Sequence, residues 1–235
     1  MPMCTVTYLP LGPDTFVLTS NRDEAPQRSA TGLYHEQRNG KTLLFPRDPL
    51  ARGTWIAASD SQQLVCVLNG AFVRHQHRPP YRLSRGIMAL QFFDYPDAPT
   101  FSQSFDFTGI EPFTLVLCDA GQVYELRWDE QQVHFRALPP DRPHLWASST
   151  LYPPEWQSKR QSWFADWQAQ HPQPTAEAIL DFHHRAGEGN PEYDLIMNRQ
   201  DIVRTTSITS VLSQANAMRL RYEDLLSGEL LRDQV

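Results

Sequence analysis

Residues 4–24 read CTVTYLPLGPDTFVLTSNRDE, in which two apolar runs are joined by a turn and followed by a polar string. Residues 5–9 and 15–20 are rich in β-branched and aromatic side chains, and a turn containing proline and glycine separates them. This pattern predicts an antiparallel β-hairpin. Because the start of the first strand of a hairpin lies beside the end of the second, we expect Cys4 to neighbour the polar string at residues 21–24.

Beyond the hairpin, short runs typical of strands are separated by turn signals, and helical periodicity occurs in three places. Antiparallel strands with helices grouped between them are typical of an α+β layered fold rather than a parallel nucleotide-binding sheet. The expected strands cover residues 54–58, 64–68, 113–118, 122–128, 133–138, 201–212 and 217–222, and the expected helices cover residues 84–94, 154–170 and 175–186.

The chain has 235 residues, of which 40% are hydrophobic, and we expect one domain over residues 1–235. No apolar stretch approaches the length of a membrane-spanning helix, so we expect no membrane insertion. The 21 basic and 27 acidic residues give a net charge of -6 without a block of like charges, which argues against nucleic acid and anionic membranes as partners. Residues 1–6 lack the parts of a secretory signal, so we expect a cytoplasmic location.

Three cysteines, an odd number, lie far apart in the chain. Their spacing fits neither a disulfide framework nor a Cys-x-x-Cys metal site, and we expect no bound metal ion. Cys66 and Cys118 stand in apolar runs, where cysteine behaves as a small buried hydrophobe. The sequence contains no Gly-rich phosphate loop, His-Glu-x-x-His helix or nucleophile elbow, which excludes the commonest kinase, zinc-protease and hydrolase motifs.

Cys4 differs from the other two cysteines because it stands almost at the amino terminus, and its predicted neighbours are charged. Arg22 would favour the thiolate, and Asp23 or Glu24 could orient the arginine or an amine. A cysteine whose own α-amine serves as base needs that arrangement, and its attack on an amide carbonyl gives an acyl-enzyme that water opens. Asn69, at the end of an apolar run, could donate to the oxyanion. Composition alone favours the alternative that the polar string is a solvated loop.

Five short motifs follow one another behind the cysteine of the first strand: NRDE at residues 21–24, RGTWIAAS at 52–59, LN at 68–69, SRG at 84–86 and RTTS at 204–207. In this order they resemble the NRDE family, also called the transport and Golgi organisation protein 2 family. The resemblance implies an N-terminal-nucleophile hydrolase-like fold, which is a four-layer αββα sandwich of antiparallel sheets, as in penicillin V acylase and bile-salt hydrolase.

Similarity to those amidases also implies roles for individual residues. Cys4 would be the nucleophile, Arg22 and Asp23 its support, Asn69 an oxyanion donor, and Arg204 a second basic wall of the pocket. The residues expected to bind a ligand are Asn21, Arg22, Glu24, Trp55, Asn69, Arg85 and Arg204.

Two departures from the family pattern bear on catalysis. Met1, Pro2 and Met3 precede Cys4, and removal of the first methionine alone would leave Cys4 without a free α-amine. Initiation at Met3, processing of the extra residues, or an absence of this catalysis would each account for them. At residues 146–151, which read WASSTL, the amidase-type asparagine is missing.

The family is associated with haem trafficking. We therefore expect a cytoplasmic haem-binding protein, or a carrier of a similar amphipathic carboxylate, with haem-accepting proteins as partners. Arg22, Arg85 and Arg204 would meet the haem propionates, and His75 and His77 are the candidate axial ligands. One alternative is a cysteine amidohydrolase that cleaves a non-peptide C–N bond. Another is a non-catalytic interaction protein, because a fold alone does not fix a function.

Overall fold

The computed structural model describes residues 3–150 and 154–235, which form two antiparallel β-sheets of seven strands each. The first sheet contains β1 (Met3–Gly12), β2 (Thr15–Glu24), β10 (His144–Ala147), β11 (Asn198–Arg199), β12 (Val203–Gln214), β13 (Ala217–Asp224) and β14 (Leu230–Gln234), in the order β10-β1-β2-β12-β13-β14 with β11 paired to β12. The second sheet runs in chain order through β3 (Leu33–Arg38), β4 (Lys41–Pro46), β5 (Ile56–Ser59), β6 (Leu64–Asn69), β7 (Phe113–Asp119), β8 (Gln122–Trp128) and β9 (Val133–Leu138).

Helices cover the outer faces of both sheets. The side chains of Ser84, Asp97 and Thr175 cap three of them by accepting a bond from a backbone N–H three residues further on. No helix within the described residues is both long and apolar enough to cross a membrane. The helices are α1 (Arg85–Gln91) and α2 (Ala98–Ser104) on the second sheet, and α3 (Pro154–Gln170) and α4 (Ala176–Arg185) on the first.

The resulting layer order is αββα, which confirms the expected fold class. Successive side chains of a strand point to opposite faces, so a strand that is covered on both sides must be apolar on both. In β6, Cys66 and Leu68 pack between the sheets, whereas Val65 and Val67 pack on the α1 side. Cys118 also lies between the sheets, and neither it nor Cys66 forms a disulfide.

The predicted hairpin is confirmed, and both of its strands are longer than expected. β2 continues to Glu24, so the polar string is the buried end of a strand and the solvated-loop alternative is wrong. The sequence patterns do not predict β3, β4, β10, β11, β14 or α2. β3, which reads LYHEQR, lies at a sheet edge, where polar residues weaken the apolar alternation.

Candidate functional site

The register of the hairpin brings Cys4 next to Arg22. The two residues lie opposite each other across the β1–β2 pair, which confirms the predicted adjacency of the cysteine and the polar string. Because side chains alternate along β2, Arg22 and Glu24 face the space between the sheets. Asn21 and Asp23 face the other way, toward α4 and the residues that follow it.

A cleft of about 350 Å³ opens at the end of the sheets where β1 begins, and its lining extends from Cys4 in the first sheet to the start of α1 on the second. Its volume lies near the lower end of the range of about 300–1,000 Å³ found for small-molecule sites. The residues predicted from the sequence that line it are Cys4, Arg22, Glu24, Trp55, Asn69 and Arg85.

Two glycines bring separate parts of the chain together at one wall of the cleft. A Cβ on Gly53 would lie 2.5 Å from the carbonyl carbon of Gly86, and a Cβ on Gly86 would lie 2.6 Å from the carbonyl oxygen of Thr54. The Thr54 N–H donates to the Gly86 carbonyl at 3.2 Å. The motifs at residues 52–59 and 84–86 are therefore in direct backbone contact, and a side chain at either glycine would separate them.

Arg22 is held by two carboxylates and an aromatic ring. Its guanidinium lies 2.7 Å from the Asp48 carboxylate, 3.6 Å from that of Glu24 and 4.2 Å from the Trp55 ring centroid. Arg28 binds the same carboxylates, at 2.7 Å from Asp48 and 3.0 Å from Glu24. Burial would raise the pKa of Asp48, but a backbone amide and the two guanidinium groups outweigh it and lower this pKa.

Glu111 forms a second charged cluster in the cleft. Its carboxylate lies 3.0 Å from Arg85, 2.9 Å from His75 Nε2 and 3.0 Å from His77 Nδ1. Burial would raise the pKa of Glu111, but Arg85 and the two histidines outweigh burial and lower it. Sequence reasoning missed both Glu111 and Asp48, because each lies in a loop outside the motifs. Within residues 3–150 and 154–235, no group of three or more His, Cys, Asp and Glu side chains has the arrangement of a metal site.

The Cys4 thiol is buried, and its pKa is raised well above the ordinary value. Burial is the main cause, and Cys66 and Asp23 add to it. Arg22 lowers this pKa, as the sequence predicts, but its effect is smaller than that of burial. Near neutral pH the group is therefore a thiol and not the nucleophilic thiolate. Residues 1 and 2, which bear on the question of a free α-amine, lie outside the described residues.

Ser148 links the two sheets beside Cys4. Its N–H donates to the Cys4 carbonyl at 3.0 Å, and its Oγ donates to the Asn69 carbonyl at 2.6 Å. The stretch that lacks the amidase-type asparagine therefore supplies a bridge between β1 and β6. Residue 151 of that stretch lies outside the described residues.

Asn21 joins the first sheet to α4 and does not line the cleft, which corrects its prediction as a ligand-binding residue. Its Nδ2 donates to the carbonyls of Leu195 at 2.8 Å and His183 at 3.1 Å, and its Oδ1 contacts His183 Nδ1. The other ring nitrogen of His183 lies 2.7 Å from Thr7 Oγ1. Burial lowers the pKa of His183 to about 3, so this ring is neutral. Alternation along β2 explains the correction, because Asn21 and Arg22 must point to opposite faces.

Asp23 and Arg204 also lie outside the cleft lining. Asp23 is buried behind Cys4 and accepts a hydrogen bond from Thr205 Oγ1 at 2.6 Å. Arg204 stands at the start of β12, and its guanidinium lies 3.7 Å from Asp201 in the preceding turn. Arg204 therefore does not form the expected second basic wall of the cleft.

A family model described as Transport and Golgi organisation 2 matches residues 3–180 of the chain. The chain belongs to this family. The part that matches the Transport and Golgi organisation 2 model includes both charged clusters of the cleft but not Arg204. Comparison with curated proteins gives no match.

Solved structures of hydrolases share the fold of this Transport and Golgi organisation 2 protein. A mutant of the conjugated bile acid hydrolase from Clostridium perfringens superposes with a TM-score of 0.62 at 8% identity, covering 99% of this chain and 92% of that one. Another variant of that enzyme gives a TM-score of 0.63 at 8% identity, with coverage of 98% and 92%. The Caenorhabditis elegans ortholog of N-acylethanolamine-hydrolyzing acid amidase gives 0.51 at 9% identity, with coverage of 88% and 92%. The fold is thus N-terminal-nucleophile hydrolase-like.

Proposed function

We propose that this protein binds a small amphipathic carboxylate in the cleft beside Cys4 and transfers it to a partner protein, and that haem is the first ligand to test. The observation that carries the proposal is the composition of the cleft. Trp55, Val67 and Leu83 provide apolar lining, and Arg28 and Arg85 provide guanidinium groups beside it. Such a combination suits a ligand with an apolar body and an acidic end.

The two arginines retain binding capacity despite their carboxylate partners. A guanidinium has five N–H donors. Arg28 contacts the carboxylates of Asp48 and Glu24, and Arg85 contacts the Glu111 carboxylate and the Pro112 carbonyl, so neither uses all five. Arg28 is about a third exposed on its side chain, at 31%, and so can meet a ligand at the mouth of the cleft. The volume of about 350 Å³ favours a small ligand, or the propionate-bearing edge of a macrocycle with the rest outside.

The two candidate axial histidines border the cleft through Glu111 without lining it, and they differ in exposure. His75 Nε2 is bound to Glu111, and its Nδ1 is buried without a partner. His77 binds Glu111 through Nδ1, and its side chain is half-exposed. A histidine that donates one N–H to a carboxylate presents its other nitrogen as a metal ligand, with its orientation fixed.

Titration of the purified protein with haem, followed at the Soret band, tests the proposal. We expect a saturable change with one haem per chain, and an altered band in His77→Ala because the axial nitrogen is lost. His35→Ala is the matched control, since His35 is also half-exposed and bound to a carboxylate, at 2.8 Å from Asp233. A wild-type protein without a saturable change would contradict haem binding, and equal effects of both variants would contradict the role of His77.

Cys4 contributes a neutral thiol to the cleft. The thiolate is the nucleophilic form of cysteine, and the buried Cys4 retains its proton near neutral pH. Two further cysteines with raised pKa values, Cys66 and Cys118, lie in the same core between the sheets, where the surroundings are apolar.

A cysteine amidohydrolase is the second candidate function, and it is favoured by the contact of Cys4, Arg22 and Asn69 with one cleft. Two fold relatives are described as a conjugated bile acid hydrolase and an N-acylethanolamine-hydrolyzing amidase. In this reaction the Cys4 sulfur would attack an amide carbonyl carbon. The C–N bond would break as the amine leaves with a proton, and water would then hydrolyse the thioester to a carboxylic acid.

Intact-mass measurement discriminates the two candidates. The enzyme hypothesis predicts a chain that begins at Cys4 when made in its own cell, and an acyl adduct after incubation with an N-acylethanolamine or a glycine-conjugated bile acid. Cys4→Ala should remove the adduct, and Cys66→Ala should retain it. A chain that keeps residues before Cys4 and forms no adduct would leave binding as the function.

A further inference from the structure

Exposed apolar side chains gather at one end of the molecule. Among the described residues, the large apolar side chains that are exposed all lie in loops, or at a strand start, at the end of the sheets where β1 begins and the cleft opens. The remaining surface in the described ranges has no exposed residue of this kind. These residues are Leu50, Phe72, Val73, Ile196, Ile202, Leu226 and Leu230.

The β6–α1 loop, residues 70–84, carries both exposed apolar side chains and positively charged ones. Phe72 and Val73 are 49% and 74% exposed, and Arg74 and Arg78 follow them on the surface. No carboxylate within the described residues forms a salt bridge with either arginine. The sequence contains no Asp or Glu from residue 61 to residue 93. This loop is therefore positively charged, although the whole chain has a net charge of -6.

An acidic cavity lies at the other end of the sheets. It is lined by Asp14, Asp119 and Asp141, and no arginine, lysine or histidine contributes to that lining. The charge contrast lies between the β6–α1 loop and this cavity, so an anionic surface attracts the loop and repels the cavity.

We propose that the cleft end docks on an anionic lipid bilayer through the β6–α1 loop, with Phe72 and Val73 in the interface and Arg74 and Arg78 on lipid phosphates. The inference rests on the proposed function, since a bilayer is the natural reservoir of an amphipathic ligand and the cleft opens on the docked face. Arginines beside apolar side chains are typical of peripheral membrane contacts, where the stems lie in the interface and the charges meet head groups.

The spacing of the apolar residues favours a bilayer over a protein partner. They stand singly or in pairs on several loops with polar residues between them, whereas a protein interface has a contiguous, densely packed core. Phe72 is also held in a fixed orientation, because the Arg127 guanidinium lies 5.0 Å from its ring centroid and the His134 ring contacts it edge-on at 4.8 Å.

Co-sedimentation of the full chain with lipid vesicles tests the proposal. We expect binding to vesicles of equal parts phosphatidylcholine and phosphatidylserine, weak binding to phosphatidylcholine alone, and release by high salt. Arg74→Glu with Arg78→Glu should lower the partition coefficient about tenfold or more, because two attractive charges become repulsive. Phe72→Ser with Val73→Ser should lower it on both compositions, since apolar burial is lost.

The matched control carries the same change in charge at a different place. Arg219 and Arg232 are exposed on β13 and β14, away from the cleft, and Arg219→Glu with Arg232→Glu should reduce binding much less. Circular dichroism checks that each variant is folded. No binding to the mixed vesicles, or equal losses from the two double variants, would overturn the proposal. The vesicle assay contains no haem and the Soret titration contains no lipid, so docking and ligand binding can fail independently.

Discussion

Two networks that share strand β2 impose opposite demands on neighbouring residues. On the cleft side, Arg22 and Glu24 belong to a charged cluster whose members pair with one another at the edge of an open space. On the helix side, Asn21 belongs to a neutral network with His183 and Thr7 that is fully buried. Alternate residues of the NRDE string therefore have different roles. Arg22 and Glu24 face the cleft, and Asn21 binds α4 to the sheet.

The largest expected effect comes from breaking the helix side. Asn21→Ala should lower the free energy of unfolding by about 3 kcal/mol, because the carbonyls of His183 and Leu195 and the His183 ring lose a buried partner. Urea unfolding followed by tryptophan fluorescence measures it. Glu24→Gln, on the cleft side of the same strand, should cost less than half as much, and equal costs would remove the distinction between the two networks.

The next largest effect is expected from acid, which should lower the free energy of unfolding through His183 in the helix-side network. The pKa of His183 is about 3 in the folded chain and 6.5 ordinarily, so the unfolded chain binds the extra proton between these values. Stability present above pH 6.5 is therefore lost as pH falls, by about 2 kcal/mol between pH 6.5 and 5. In His183→Gln, the free energy of unfolding measured with urea should depend less on pH over this range. A wild-type protein whose unfolding free energy does not change over this range would contradict a neutral His183.

Alkali should act with the opposite sign on the cleft side. The pKa of Cys4 is raised above its ordinary value of 9.0, so the stability that its protonated form contributes is lost as pH rises beyond that value. Cys4→Ala should reduce the alkaline loss in the same unfolding series. It should not abolish the loss, because burial raises the pKa values of Cys66 and Cys118 as well.

Removing one guanidinium from the cleft should weaken ligand binding while sparing the fold. Arg85→Met should raise the Kd of an amphipathic carboxylate about tenfold, the usual effect of losing one charge-assisted hydrogen bond. Glu111 keeps its two histidine partners in this variant. Arg204→Met is the control, since Arg204 lies outside the cleft lining and its loss should leave the Kd unchanged. The haem titration measures both.

The smallest effect concerns the ring beneath Arg22. Trp55→Phe should lower the free energy of unfolding by about 0.5 kcal/mol, because phenylalanine is a weaker partner for a guanidinium than tryptophan. Differential scanning calorimetry of the two proteins at the same pH resolves it. A loss of several kcal/mol would mean that Trp55 acts chiefly through packing.

Local sequence patterns were sufficient to predict the hairpin, the three strands within residues 113–138 and the proximity of Cys4 to Arg22. They were also sufficient in principle to separate Asn21 from Arg22, because treating the polar string as strand instead of loop puts them on opposite faces. Local sequence patterns could not predict the carboxylate partners of Arg22 and Arg85. Asp48 and Glu111 come to the cleft only when distant loops close over the sheets, and no spacing within either loop encodes that contact.

The bridge made by Ser148 determines how this molecule can open. Ser148 donates to the Cys4 carbonyl of the first sheet and to the Asn69 carbonyl of the second. It therefore joins the two sheets at the entrance of the cleft. Separating the sheets would break the bond from Ser148 Oγ to the Asn69 carbonyl and disturb the core behind it. A movement of the surrounding loops would widen the entrance without breaking this bond.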